Sequence, residues 1–236
     1  PAGSHSEPFI AKLQEFGFSG ARTVDPSPKR LRNFDLFRMN ASPWFKGQTA
    51  RLRFERSVAD GHGLNTFVAS NLDYSSNAYE GTYSGIFNGS NTFVSATTGP
   101  YWDFSLGDWH VAVAVKCAGV ASEQTLFSQG SDAANSMRLA IAQDGSVYVS
   151  VCESGMERLR LSTPPAVLTP EPHWHRVALR QTFDVWRICV DGFIRAETTS
   201  AVRCQPYTGN VLIGCEIDWN SSTQTNWFSG QLDDFS

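Results

Sequence analysis

The sequence predicts an all-β protein that folds as a two-sheet antiparallel sandwich. From residue 51 onward, short runs of alternating apolar and polar residues are separated by Gly, Asn, Asp and Ser, as in sandwiches and barrels. Two dipeptides, Asp144-Gly145 and Asp191-Gly192, are typical of tight hairpin turns. No helical period of useful length occurs after residue 50. The apolar side of each strand is therefore expected to face a second sheet.

Twelve segments are predicted as strands, and residues 51–55 alternate well enough to be a candidate first strand. Residues 57–80 are predicted to form a surface loop. The twelve are Gly85–Phe87, Thr92–Ser95, Trp109–Lys116, Thr125–Gln129, Met137–Ala142, Ser146–Val151, Arg158–Leu161, Trp174–Gln181, Val185–Val190, Phe193–Thr198, Val211–Gly214 and Phe228–Phe235. The inward-facing positions are predicted to include Val111, Val113, Val115, Val147, Val149, Val151, Val177, Leu179, Trp186, Ile188 and Val190.

Residues 1–50 do not follow this pattern, and they predict an N-terminal helix and an extended docking arm. Ser6 can cap a helix that has Pro8 in its first turn and ends at Gly17. A helix this short is marginal in water unless it packs against something. Either the chain's own sandwich or a partner subunit is expected to cover it. The chain is therefore divided into residues 1–50 and residues 51–236.

Charge and hydropathy argue against several classes of partner. Residues 1–60 carry ten Lys and Arg against six Asp and Glu, whereas the remainder carries nine against seventeen. A net-negative main domain argues against nucleic acid and against anionic membrane surfaces. No apolar run has the length needed for membrane insertion, and the N-terminus does not resemble a signal peptide.

The five cysteines are predicted to be free thiols. None forms a C-x-x-C pair, which disfavours zinc sites and thioredoxin-like redox sites. Their odd number, within or beside apolar runs, indicates synthesis in a reducing cell. A bridge between Cys189 and Cys204 remains the alternative. The five are Cys117, Cys152, Cys189, Cys204 and Cys215.

Three blocks of residues, in this order, resemble the laminin-G-like family of the concanavalin A-like lectin and glucanase superfamily. The first is Phe87-Asn88-Gly89-Ser90-Asn91-Thr92-Phe93-Val94. The second is Trp174-His175-Arg176-Val177-Ala178 followed by Trp186-Arg187-Ile188-Cys189-Val190-Asp191-Gly192. The third is Leu212-Ile213-Gly214 followed by Phe228-Ser229-Gly230-Gln231-Leu232-Asp233-Asp234-Phe235. The resemblance covers residues 51–236 and implies a jelly-roll sandwich, but this fold supports unrelated functions.

One segment, Glu216-Ile217-Asp218-Trp219-Asn220, is similar to the E-I-D-x-E strand of retaining β-glucanases. Those enzymes need two carboxylates about 5 Å apart, one as nucleophile and one as acid/base. Here Asn220 occupies the second position, and an amide cannot donate a proton as an acid. The protein is therefore predicted not to be an enzyme, with glucanase-like hydrolysis as the alternative.

The same segment is predicted to bind a ligand. Trp219 and Trp227 flank a polar run that includes Asn220 and Asn226, and a Trp can stack on a sugar while amides bind its hydroxyls. The alternative is that a Trp simply closes the end of the sandwich. A second candidate rim contains Tyr101 and Trp102, which could equally be buried under a loop.

Calcium is the cofactor that the resemblance raises, because many members of the family bind it through loop oxygens. The candidate ligands are Asp218 and Asp233, helped by Asn220 and Asp234. Either Asp233 or Asp234 is instead expected to point into the sandwich edge and accept hydrogen bonds from backbone amides.

The sequence as a whole favours a non-catalytic recognition or assembly module. A glycan or other subunits of a particle are the expected partners, with oligomerisation or docking through residues 1–50. Cysteines suited to a reducing cell, together with a docking arm, favour a tail-fibre, tail-tip or capsid-decoration protein of a phage or virus. Such a protein would be made in the cytoplasm and displayed on the virion or at the extracellular surface. A cellular lectin or adhesion domain is the alternative.

Overall fold

The computed structural model describes residues 50–105, 107–169 and 172–236, and sixteen strands lie in these ranges. In chain order they are β1 (Phe67–Ser70), β2 (Asp73–Ser75), β3 (Ser84–Asn88), β4 (Phe93–Ala96), β5 (Trp109–Cys117), β6 (Gln124–Asp132), β7 (Asn135–Ile141), β8 (Val147–Glu153), β9 (Met156–Ser162), β10 (His175–Thr182), β11 (Val185–Val190), β12 (Phe193–Thr199), β13 (Val211–Ile213), β14 (Glu216–Asp218), β15 (Thr223–Thr225) and β16 (Ser229–Asp233). A short 3₁₀ turn covers Pro100–Trp102.

The strands form two seven-stranded antiparallel sheets and a separate hairpin. Sheet 1 has the order β1-β4-β13-β6-β7-β8-β9, and sheet 2 has the order β12-β11-β10-β5-β16-β3-β2. Strands β14 and β15 pair only with each other. Non-consecutive neighbours such as β13 beside β6 show the crossovers of a jelly roll. The predicted all-β sandwich is therefore confirmed.

The core lies between the two sheets and contains the residues that alternation predicts. In β10 and β11, buried Val177, Leu179, Trp186 and Ile188 alternate with half-buried neighbours. Trp186 is fully buried, and its ring packs edge-to-face on Trp109 at a centroid distance of 5.4 Å. The inward positions predicted for β5 and β8 are buried as well, so period-two hydrophobicity determines which side of each strand faces the core.

Three predictions about the strands need correction. The segment 51–55 is not a regular strand, because Phe54 and Arg56 have positive φ and only Leu52 forms a bridge, to Phe235. The predicted loop 57–80 contains β1 and β2, which are four and three residues long and lie at sheet edges. Between the predicted strands Val211–Gly214 and Phe228–Phe235, where no strand is predicted, the structure forms the β14–β15 hairpin. Short edge strands have too few buried positions to produce a clear alternation.

The predicted helix and arm at residues 1–50 fall outside the described residues, except for the buried Ala50. The division of the chain at residue 50 therefore stays a prediction. In the described ranges, no helical segment has both the length and the hydropathy that crossing a bilayer requires.

All five cysteines are free, as predicted, and the bridge between Cys189 and Cys204 is absent. Burial raises the pKa of Cys117, Cys204 and Cys215 to about 12. Because the thiolate is the reactive form, we expect these three thiols to resist alkylation by iodoacetamide at pH near 8 until the protein unfolds. Mass spectrometry of the adducts checks this. Native-state labelling of the three at the rate of unfolded protein would contradict it, as would fewer than five thiols after unfolding without reductant.

Candidate functional site

A cavity of about 380 Å³ lies between the outward face of sheet 1 and the β14–β15 hairpin, and we call it the hairpin cleft. Strand alternation creates its floor, because Met137 and Val149 point into the core and thereby place Arg138 and Ser150 on the opposite face. The polar and aromatic residues of the cleft include Ser128, Gln129, Arg138, Ser150, Glu157, Glu216, Asp218, Trp219 and Asn220.

Arg138 fixes the base of the hairpin to the sheet. Its Nη1 donates to Glu216 Oε1 at 2.6 Å and lies 3.0 Å from Glu123 Oε1. Asn226 Nδ2 donates to the same oxygen of Glu216, and Ser128 Oγ donates to the Cys215 carbonyl at 2.9 Å. Burial alone would lower the pKa of Arg138, but Glu216 and Glu123 raise it above its ordinary value. The guanidinium is therefore permanently charged and satisfied by carboxylates of this chain.

Trp219 begins the hairpin loop and forms part of the wall of the cleft. Its indole packs against glycine backbone, since a Cβ added at Gly130 would lie 2.9 Å from Trp219 Cζ2. Gly209 N donates to the Gly130 carbonyl at 2.9 Å, and a Cβ at Gly209 would lie 2.1 Å from that oxygen. Two glycines thus permit the close approach that positions the ring.

The loop that follows Trp219 is closed by the carboxylate of Asp218. Asp218 Oδ1 accepts from the Asn220 backbone N–H at 3.0 Å, and Oδ2 accepts from Ser221 Oγ at 2.8 Å. These hydrogen bonds, with that from Ser221 as the largest cause, lower the pKa of Asp218. Asp218 is therefore ionised at neutral pH, and Asn220 is exposed beside it.

Carboxylates are the acceptors that the cleft offers to a ligand. Ser150 Oγ donates to Glu157 Oε1 at 2.6 Å, so its proton is already used. Gln129 lies opposite Met137 in the β6–β7 register, so its side chain points to the core side of sheet 1 and its buried Oε1 does not face the cleft. The carboxylates of Glu157 and Asp218 line the cleft and can accept further hydrogen bonds. The cleft is therefore chemically suited to a ligand that donates hydrogen bonds.

The structure brings together some of the predicted ligand-binding residues and separates others. Trp219 and Asn220 line the hairpin cleft, and Asn226 lies at its base, bonded to Glu216. Trp227 does not line the cleft, because it packs against Phe93 of β4 at a centroid distance of 6.0 Å.

The second predicted rim is not part of this site either. Trp102 is buried in the core, where its ring packs edge-to-face on Phe67. Its neighbour Tyr101 is 40% exposed on the 3₁₀ turn, away from the residues that line the cleft. Of the two alternatives for this pair, a ligand-binding rim or burial under a loop, burial is therefore the correct one for Trp102.

The two candidate calcium ligands occupy different places. Asp233 is fully buried and accepts hydrogen bonds from three backbone N–H groups, those of Tyr79, Glu80 and Asp234, at 2.8–2.9 Å. This confirms that one of the paired aspartates bonds backbone amides at the sandwich edge. Asp218 instead closes the hairpin loop. No group of three His, Cys, Asp or Glu side chains suited to a metal occurs in the described ranges, and calcium binding stays a prediction.

Sequence reasoning missed the floor of the cleft, namely Arg138, Ser150 and Glu157. A signal for them exists, because alternation that assigns Val149 and Val151 to the core also assigns Ser150 and Cys152 to the other face. That signal gives the face of each residue, but it does not show which part of the chain covers that face.

We expect Arg138→Ala to loosen the β14–β15 hairpin while leaving the sandwich folded. The substitution removes the cation between Glu216 and Glu123, so the two carboxylates repel each other. Hydrogen exchange of the amides in residues 216–225 should become at least tenfold faster, and that in β10 and β11 should not change. Arg160→Ala is the control, because Arg160 pairs with Glu157 and not with the hairpin. Equal exchange in both variants would contradict the role given to Arg138.

No protein-family model and no curated protein matches the sequence. Solved structures do match the fold. Domain 4 of AbnA, a GH43 extracellular arabinanase from Geobacillus stearothermophilus solved in complex with arabinotriose, is 14% identical with a TM-score of 0.59, over 79% of this chain and 89% of that one. The botulinum neurotoxin serotype G binding domain is 10% identical with a TM-score of 0.61, over 79% and 46%.

Mouse laminin α1 domains LG4-5 are 16% identical to this chain with a TM-score of 0.51, over 64% of this chain and 40% of that one. This chain therefore spans less than half the length of the toxin and laminin chains. At these identities the similarity shows a common sandwich fold. It agrees with the jelly roll that the sequence resemblance implied.

Proposed function

We propose that this chain is a non-catalytic carbohydrate-binding module whose site is the hairpin cleft. One observation carries the proposal: an indole, several amides and hydroxyls, and three carboxylates converge on a single cavity of about 380 Å³. That volume lies within the range of pockets that hold small ligands. Aromatic surface beside short polar groups matches a sugar ring, which has an apolar face and a rim of hydroxyls.

Each part of the cleft has a role in this proposal. Trp219 supplies the apolar wall, and its position is fixed by the glycine backbones beneath it. Asn220 is exposed at the mouth, where its amide can both donate and accept. Arg138 holds the hairpin against the sheet and so maintains the cavity in the absence of ligand. A preformed site of this kind spends little free energy on ordering when the ligand binds.

The solved arabinanase domain supports the same proposal by analogy. That domain, with the same fold, was determined in complex with arabinotriose. The analogy concerns the fold, and the residues of the hairpin cleft in this chain provide the independent argument.

The carboxylates of the cleft are poorly suited to glycoside hydrolysis. A general acid in such a reaction needs a raised pKa. Asp218 has a lowered pKa, and Glu216 is paired with Arg138 and bonded to Asn226. Asn220 stands where the glucanase pattern has its second carboxylate. We therefore expect no sugar release from laminarin, agarose or mixed-linkage β-glucan. Release that Glu216→Gln abolishes would establish the glucanase alternative.

A glycan array tests the proposed function. We expect the purified chain to bind a subset of oligosaccharides, and Gly130→Val, which places a side chain where the indole lies, to lose those signals. Circular dichroism and thermal melting of the variant must show a folded sandwich. As a second route, an excess of a bound oligosaccharide should protect residues 216–225 from hydrogen exchange. An array without reproducible binding would overturn the proposal.

We also propose that the module is displayed on a phage or viral particle and attached through residues 1–50, as the sequence favours. Five free cysteines support synthesis in a reducing cell. Gold-labelled antibody against the sandwich should decorate intact purified particles in electron micrographs. Label confined to secreted protein free of particles would contradict this attachment and would favour a cellular lectin.

A further inference from the structure

The charges of the hairpin cleft are strongly unbalanced. Among the described residues that line it, Arg138 is the only cation, whereas Glu157, Glu216 and Asp218 supply three carboxylates. Arg138 is engaged, since its Nη1 contacts both Glu216 and Glu123, and Arg160 beside the cleft pairs with Glu157. With these pairing partners included, two cations stand against four carboxylates. A ligand that enters the cleft therefore meets a net negative surface.

Two hydroxyls of the cleft are already engaged as donors. Ser150 Oγ donates to Glu157, and Ser128 Oγ donates to the Cys215 carbonyl. Each of these two oxygens retains a lone pair that can accept. The amides of Asn210 and Asn220, which also line the cleft, can both donate and accept. The preference for a ligand that donates hydrogen bonds therefore comes from the carboxylates.

We propose that the hairpin cleft selects neutral, hydroxyl-rich oligosaccharides and rejects glycans that carry carboxylate or sulfate groups. This inference rests on the proposed function and specifies the ligand class of the same site. Sugar hydroxyls donate to the carboxylates of Glu157 and Asp218 and form charge-assisted hydrogen bonds. Uronic acid, sialic acid and sulfate groups have no proton to donate at neutral pH, and they are repelled by the same carboxylates.

A basic peptide would also satisfy the negative charge of the cleft. A sugar is favoured over a peptide for two reasons. The indole of Trp219, packed against two glycines, offers a flat apolar surface for a sugar ring. The remaining lining consists mostly of short hydroxyl and amide groups, which suit a polyol. A peptide therefore serves as an alternative outcome of the test.

The test is calorimetric titration of the full chain with matched pairs of oligosaccharides that differ only in charge. Suitable pairs are galactotriose with trigalacturonate, lactose with lactose 3′-sulfate, and cellotriose with its C6-oxidised derivative. A lysine-rich nonapeptide is the peptide probe. Each titration is run at about 0.1 M and about 1 M salt, where the screening length falls from roughly 10 Å to roughly 3 Å. The matched variant is the double substitution Glu157→Gln with Asp218→Asn, which keeps the size of each side chain, removes its charge and exchanges one acceptor oxygen for an NH2 donor.

We expect at least one neutral member to bind, with less than a twofold change between the two salt concentrations. Its anionic counterpart should bind at least tenfold more weakly, and this difference should shrink in high salt and in the double variant. Equal or tighter binding of the anionic members would overturn the charge selectivity and leave the proposed function standing. No binding by any oligosaccharide, with or without salt-sensitive binding of the peptide, would overturn both.

Discussion

Replacing Trp219 with alanine is expected to weaken oligosaccharide binding by about 30-fold, which corresponds to about 2 kcal/mol. The indole is the aromatic wall of the hairpin cleft, and its truncation removes the surface on which a sugar ring stacks. The fold should persist, because Trp219 is partly exposed and lies outside the core between the two sheets. Calorimetric titration with the best array ligand measures the loss.

Trp227→Ala is the matched control for this substitution. Trp227 belongs to the same polar segment of the chain and is also partly exposed, but its ring packs on Phe93 and does not line the cleft. Its removal should change the dissociation constant less than twofold. If the two variants lose affinity equally, the sugar does not bind where the geometry places it.

Replacing Asp233 with alanine is expected to lower the free energy of unfolding by about 3–5 kcal/mol. Asp233 is fully buried, and its two oxygens satisfy three backbone N–H groups that join the loop before β3 to the end of β16. Alanine leaves those three donors without partners inside the protein. Chemical denaturation at neutral pH measures the change, with the slope of the transition checked for two-state behaviour.

Asp73→Ala provides the comparison, since Asp73 is exposed on the edge strand β2. It should change the free energy of unfolding by less than about 0.5 kcal/mol, as most surface substitutions do. A similar small effect for Asp233→Ala would show that other groups or water satisfy the backbone of residues 79, 80 and 234.

The fold could be predicted from the sequence because its strongest signal is local. Val147, Val149 and Val151 alternate with Tyr148 and Ser150, and this spacing alone assigns the two faces of β8. The turn at Asp191-Gly192 similarly joins β11 to β12, with both residues at positive φ. The edge strands β1 and β2 could not be predicted, because three or four residues beside a single neighbour carry little of this periodicity.

The candidate site could be predicted only in part, because it depends on contacts between distant parts of the chain. Trp219 and Asn220 stand out in the sequence as an aromatic residue beside a polar run. Arg138, which holds the hairpin in place, is 78 residues from Glu216, and nothing local links them. The composition of residues 219–227 likewise could not show that Trp219 lines a cavity while Trp227 packs on β4.

The sequence also assigns to common sites some residues that lie in different parts of the structure. Side-chain type predicts Asp218 and Asp233 as calcium ligands, but one closes the hairpin loop and the other accepts hydrogen bonds from backbone amides at the sandwich edge. Tyr101 and Trp102 are adjacent in the chain, yet the 3₁₀ turn buries only the tryptophan. Residue type indicates what a side chain can bind, whereas burial decides whether a ligand reaches it.

A crystal structure of the chain with the best array oligosaccharide tests the central claim most directly. We predict density for a sugar ring against Trp219, between the β14–β15 hairpin and the outward face of β6–β8, with hydroxyls within hydrogen-bond distance of Asp218 or Glu157. Density for the same oligosaccharide beside Trp227 or on the 3₁₀ turn, with the hairpin cleft empty, would contradict the account.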